Sequence, residues 1–173
     1  MNVLELINIE KVRKAILYLL FGLVCLWVQT MVLSRARLLG VSPFFIPALA
    51  VAIGMFEDGV WGGAFGVVLG AYCDLCFTDS TVLFLILFAV LGFVAGMLTR
   101  YFINRRFFSY LVLAVPALLL TAGCQILPLL VFRGDAPGPL FGVAALQCLT
   151  ALPFAAAAYV AVRRIAGRAQ PRP

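Results

Sequence analysis

The sequence predicts an all-α integral membrane protein, a compact bundle of six transmembrane helices with both termini in the cytoplasm. Three observations lead there. Hydrophobic residues make up 65% of the chain, mean hydropathy is +1.13 and only 12% of residues are charged. A soluble domain of 173 residues leaves much of its area in water and could not hide that much apolar surface. Six apolar stretches each approach the roughly 20 residues that cross ~30 Å of hydrocarbon as helix, and the basic residues gather at their ends.

In order, the expected spans are Ala15–Leu33, Leu38–Phe56, Gly59–Phe77, Val82–Thr99, Phe108–Val131 and Leu140–Val162. The connections are short, and no linker or shift in composition suggests a second domain. The opening MNVLELINIEKVRK has the charge order of a signal peptide. The apolar run after it is too long for an h-region and no small-x-small site follows, so it reads as an uncleaved first span.

Orientation follows from the basic residues. With the N-terminus inside, the cytoplasmic side carries Lys11, Arg13, Lys14, Arg100, Arg105, Arg106, Arg163, Arg164, Arg168 and Arg172, against Arg35, Arg37 and Arg133 outside. That is a positive-inside bias, and the net charge of +6 therefore speaks for a membrane surface rather than nucleic acid.

The second span is the irregular one. Pro43 and Pro47 interrupt its start, so regular helix is expected from about Phe44. A helix begun through a proline-rich turn is the simpler reading; a re-entrant or broken helix lining a cavity is the alternative. Pro116, Pro128 and Pro153 read as kinks. At the tip of the second and third spans, Glu57 and Asp58 form an acidic pair on an otherwise basic side. They read as a solvated turn beside a helix N-terminus, or as a contact for a basic partner segment.

The third span holds the clearest pattern. In VWGGAFGVVLGAYCDLCF, Gly62, Gly66 and Gly70 recur every four residues and Asp74 continues the series. Four residues return to nearly the same helix face with about 40° of drift, so the glycines form a slowly curling bare ridge. Gly92 and Gly96 make a similar pair on the fourth span. In lipid, small residues four apart let helices approach closely, so these positions are expected to pack helices together or to meet a partner.

Asp74 is the one ionisable residue well inside a span. A charge there costs at least ~3 kcal/mol, so it should face protein or water. Arg35, Arg37, Arg133 and helix-end backbone groups are candidate partners, and contact with a ligand or partner protein is the alternative role.

Cys73 and Cys76 flank Asp74 as a C-x-x-C, which leaves open a minor thiol-redox reading; small packed residues are the default. Gln29, Gln125 and Gln147 are expected to hydrogen bond between helices. Histidine is absent, and no phosphate loop, metal-ligand set or nucleophile–base arrangement is present, so the chain is expected not to be an enzyme and to need no cofactor.

A proline-led second span (SPFFIPALAVAIGMF), a short turn, GGAFGVVLGAYCDL, and then FLILFAVLGFVAGMLTR before a basic loop together resemble the MreD family. These are small membrane subunits of the bacterial rod-shape system. The detailed likeness covers roughly residues 40–105, with hydropathy alone agreeing elsewhere. The chain departs from the family pattern in the outer turn, CFTDSTVLF, which lacks the usual glycine.

The resemblance implies a non-catalytic scaffold of the cell-elongation machinery in the bacterial cytoplasmic membrane. It implies binding to MreC, and through MreC to the glycosyltransferase RodA, a class B penicillin-binding transpeptidase and the actin-like MreB. A homo-oligomer is a further option. It also implies a fold like the substrate-binding S-components of energy-coupling-factor vitamin transporters, which supplies the rival function, capture of a small vitamin. Against that rival, the first span, AILYLLFGLVCLWVQTMVL, lacks the Ala-x-x-x-Ala surface by which S-components usually dock.

Overall fold

The computed structural model describes residues 3–33, 35, 40–76, 83–102, 104–128 and 137–168, which form six helices. They are α1 (Val3–Val28, closed by one wide π turn, Gln29–Leu33), α2 (Ile46–Phe56), α3 (Gly59–Cys76), α4 (Leu83–Tyr101), α5 (Phe107–Pro128) and α6 (Pro137–Arg168). Five of them carry segments long and apolar enough to cross a membrane: Val12–Leu33, Gly59–Cys76, Leu83–Tyr101, Phe107–Ile126 and Leu140–Gly167. The protein is a multi-pass helical membrane protein. Its outward faces agree with that, because Leu20, Trp27, Leu75, Phe108 and Phe141 are all exposed, as lipid permits and water does not.

The expected second span, Leu38–Phe56, is not one helix. Helix α2 begins only at Ile46, residues 40–45 are non-helical, and residues 36–39 lie outside the described set. The prolines explain the late start. Pro43 disfavours helical backbone at the residue before it, while Pro47 stands in the first turn of α2, where a backbone N–H would have no intrahelical acceptor. Eleven residues of helix reach about 16 Å, roughly half the hydrocarbon thickness.

So short a helix survives because protein surrounds it. Ten of its eleven residues are buried, and α1, α3, α4, α5 and α6 all pack on it. The non-helical run before it is also buried from Pro43 to Phe45, and Gln29 satisfies its backbone. The Gln29 amide Nε2 donates to the Pro43 carbonyl at 2.8 Å, and its Oε1 accepts the Phe45 N–H at 3.4 Å. Irregular backbone at such depth is tolerated only where partners of this kind are supplied.

The interface of α3 with α4 is the largest in the bundle, and glycine makes it. A side chain at Gly66 would run into the Phe88 carbonyl, with Ala89 Cα 2.9 Å away. At Gly70 a Cβ would stand 2.5 Å from Leu85 Cα and from the Phe84 carbonyl oxygen. Higher up the helix pair, α2 joins the seam. A Cβ on Gly62 would lie 2.5 Å from the Gly92 carbonyl oxygen and 2.6 Å from Gly54 Cα, while Gly54 and Gly92 each abut backbone of the same group. Gly96 is closed off by Gly59, whose Cα stands 2.5 Å from where its Cβ would be.

At one end of the bundle, aromatic rings tie α2, α5 and α6 together. Tyr110 stacks on Tyr159 with centroids 4.8 Å apart, and Phe56 and Phe107 each approach Tyr159 at 5.4 Å. The Tyr110 hydroxyl reaches the carbonyls of Ala155, at 3.0 Å, and Ala48, at 3.2 Å. The buried Tyr159 hydroxyl has no hydrogen-bond partner, so the cluster uses its ring alone. Between α5 and α6, Gln147 Nε2 donates to Gln125 Oε1 at 3.2 Å, the interhelical bond expected of these residues.

Adding a methyl group at the seam should therefore destabilise, against the usual helical preference for alanine over glycine of about 1 kcal/mol. Gly66→Ala or Gly92→Ala must displace backbone, an overpacking penalty of about 1–3 kcal/mol or more. Thermal unfolding in mild detergent should show a lowered midpoint for both variants. Gly123→Ala, with nothing within 4 Å of the added carbon, should leave it unchanged or raised.

Candidate functional site

Two places gather the residues that the sequence singles out. The first is the α3–α4 seam with Asp74 at its far end. All five ridge glycines, Gly62, Gly66, Gly70, Gly92 and Gly96, are buried and face backbone of this same chain. The ridge is thus filled internally. Gly63 sits at its edge, where an added carbon would make ordinary contact with Phe93 at 3.5 Å.

Asp74 ends the ridge as a helix cap supplied by a neighbour. Its Oδ2 accepts the Leu85 N–H at 2.9 Å and its Oδ1 accepts the Phe84 N–H at 3.2 Å. Both donors lie in the first turn of α4, which begins at Leu83, and N–H groups there have no acceptor in their own helix. A carboxylate at a helix N-terminus also meets the positive end of the helix dipole. The four-residue spacing accounts for the geometry. The face that brings Gly66 and Gly70 against α4 also directs Asp74 toward the start of α4. Of the partners expected for Asp74, Arg37 and Arg133 lie outside the described residues, and the helix-end backbone is among those its carboxylate engages.

Beside it, Cys73 is buried and Cys76 exposed, both as free thiols. Among the described residues, no group of three or more His, Cys, Asp or Glu could hold a metal ion.

The second place is the turn between α2 and α3, at the end of the bundle that also holds the first half of α1 and the last turns of α4 and α6. Glu57 is half-buried and accepts a hydrogen bond from the Tyr18 hydroxyl at 3.1 Å. Asp58 is exposed, and its Oδ1 lies 3.8 Å from Arg100 Nη1. The sequence offers no basic neighbour for these acids; the fold brings one, because the close α3–α4 seam sets the last turn of α4 beside the first turn of α3. Both side chains of that ion pair are more than half exposed, so it contributes at most about 1 kcal/mol. Lys14, Tyr18, Glu57, Asp58, Trp61 and Phe65 line a cavity of about 140 Å³ here.

Several participants are hard to single out in the sequence. Gly54 resembles any small residue in an alanine-rich helix, yet it is the third backbone at the Gly62–Gly92 contact. Tyr18 and Tyr110 read as membrane aromatics, and nothing local shows that their hydroxyls bridge helices.

The fold and these two places define a class: a polytopic helical membrane protein whose conspicuous glycines and polar side chains close its own core. No protein-family model, curated protein or solved structure matches the chain.

Capping by Asp74 separates its variants. Asp74→Leu leaves two first-turn N–H groups of α4 unmet and should lower stability by about 1–3 kcal/mol; Asp74→Asn, which keeps one acceptor oxygen, should fall between. Equal melting of wild type and Asp74→Leu in detergent would refute the capping role. Gln29→Leu should destabilise by a similar amount, by stripping residues 43–45 of their partner.

Proposed function

We propose that the protein is a non-catalytic scaffold of the bacterial rod-shape machinery, an MreD-like subunit of the cytoplasmic membrane whose direct partner is MreC. The observation that supports this most is the filled axis of the bundle. A small-molecule carrier or enzyme works in a hollow with a few convergent polar groups. Here α2 occupies the centre, with Ile46, Ala48, Leu49, Ala50, Ala52, Ile53 and Met55 all at 0% exposure. Gln29 and Asp74 hydrogen bond to backbone of neighbouring segments. With its axis filled in this way, the protein works from the periphery of the bundle, where its grooves lie.

In this reading the chain crosses the membrane six times. Residues 41–45 at up to ~3.3 Å each, added to about 16 Å of α2, complete the crossing that α2 alone does not. Both termini lie in the cytoplasm, the assignment favoured by the basic residues at that end.

Because the glycine ridges are occupied internally, the MreC span docks elsewhere. The surface assigned to it is the groove of about 570 Å³ lined by Phe21 of α1 and by Ala157, Val160, Ala161, Arg164 and Ile165 of α6. Ala157 and Ala161 stand four residues apart and allow a helix to come close.

A pull-down of the full chain in mild detergent should recover MreC, and Ala157→Leu with Ala161→Leu should abolish recovery while leaving the melting midpoint unchanged. Recovery at wild-type yield from that double variant would remove the docking surface. Absence of MreC together with a stoichiometric bound vitamin would replace the scaffold by the S-component reading.

A further inference from the structure

We propose that the cavity between α1 and α3 is a binding site for the headgroup of an ethanolamine phospholipid. The inference is independent of the scaffold reading. The cavity's lining carries both signs of charge: the ammonium of Lys14 on α1, and the carboxylates of Glu57 and Asp58 at the start of α3. Trp61 and Phe65 close it on the α3 side, and Tyr18 forms its inner wall.

Its position is that of a lipid headgroup. Lys14 lies two residues inside the apolar segment that begins at Val12, and Trp61, 43% exposed, is in the first turn of α3. Tryptophan in such a place belongs to the membrane–water boundary. Val60, beside it, is exposed as well, so the lipid phase reaches the rim of the cavity.

The charges are set but only loosely paired. Glu57 is held by the fully buried Tyr18, whose hydroxyl occupies one of roughly four acceptor positions on the carboxylate. That is one neutral donor for a half-buried negative charge. Asp58 is engaged only by the exposed Arg100 at 3.8 Å. Lys14 lines the same cavity without an ion pair of its own to either acid, since the Arg100–Asp58 contact is the ion pair among the described residues.

A primary ammonium with three donors meets the two carboxylates, and Trp61 adds a ring face to the same cation. The phosphate of the same headgroup meets Lys14. Lys14 decides between ligand classes: a basic peptide would gain from the acids but be repelled by this ammonium, whereas a zwitterion uses both. Donors decide between zwitterions: a primary ammonium can donate to the carboxylates of Glu57 and Asp58, whereas a nitrogen carrying three methyl groups has no N–H to give.

The test is native mass spectrometry of the purified full chain, given equimolar ethanolamine, choline and glycerol phospholipids with identical acyl chains. The expected result is adducts enriched about tenfold in the ethanolamine lipid. Lys14→Ala and Asp58→Asn, both at accessible positions, should each reduce that enrichment to near parity with unchanged melting, and Arg164→Ala in the other groove should leave it intact. Glu57→Gln is the stronger substitution but also disturbs the Tyr18 contact, so the two milder variants are the decisive ones. Equal adducts for the three lipids, preference for the anionic lipid, or enrichment that persists in Lys14→Ala and Asp58→Asn would each overturn the proposal.

Discussion

The bundle depends on keeping lipid away from a helix too short to cross it. Helix α2 spans about half the hydrocarbon thickness, and the chain reaches it through backbone that forms no helix. Exposed to lipid, that backbone would leave polar groups unmet at several kcal/mol each. Covering it requires neighbours on every side, and Gly54, Gly62 and Gly92 bring three backbones together. Once α3 and α4 are drawn in at that point, their remaining positions follow. Gly66 and Gly70 continue the contact in one direction and Gly96 in the other, Asp74 arrives at the start of α4, and Asp58 arrives beside Arg100.

The polar side chains in the bundle serve mostly as substitutes for missing backbone partners. Gln29 both donates to and accepts from the segment before α2, Asp74 accepts two N–H groups of α4, and Tyr110 reaches carbonyls of α2 and α6. Thr30, Thr99, Thr121 and Thr150 return their hydroxyls to carbonyls four residues back in their own helices. In water such bonds compete with solvent and each contributes about 1 kcal/mol. Inside a bilayer the alternative is an unmet group, so they specify which helix ends meet which. With these groups directed inward, the outside is left to apolar residues and to the charged rim at the end holding Lys14, Glu57 and Asp58.

Membrane class, helix number and the bare glycine faces of α3 and α4 were legible because each rests on local composition or on a short period. Apolar runs identify helices whatever their neighbours, and glycines every fourth residue announce a bare helix face. The target of that face was not legible, because the same spacing serves internal packing and partner binding alike; only the position of α4 decides. The length of α2 was half legible. Pro43 and Pro47 marked an irregular start, but total burial of its eleven residues depends on the paths of five other helices. Asp74 was recognisable as needing a partner, and the helix-end backbone stood among the candidates. Arg100 beside Asp58 and Tyr18 on Glu57 are separated by 42 and 39 residues, and no local pattern predicts such pairs.

The central claim, a short helix sealed inside a glycine seam, is tested most directly from the lipid side. A carbene probe dissolved in the bilayer, activated by light and mapped peptide by peptide, reports which segments touch acyl chains. The structure predicts strong labelling of α1 around Leu19–Val24 and of α5 around Leu119–Leu120, and none over Ile46–Met55. Labelling of that segment at the level of α1 would contradict the account.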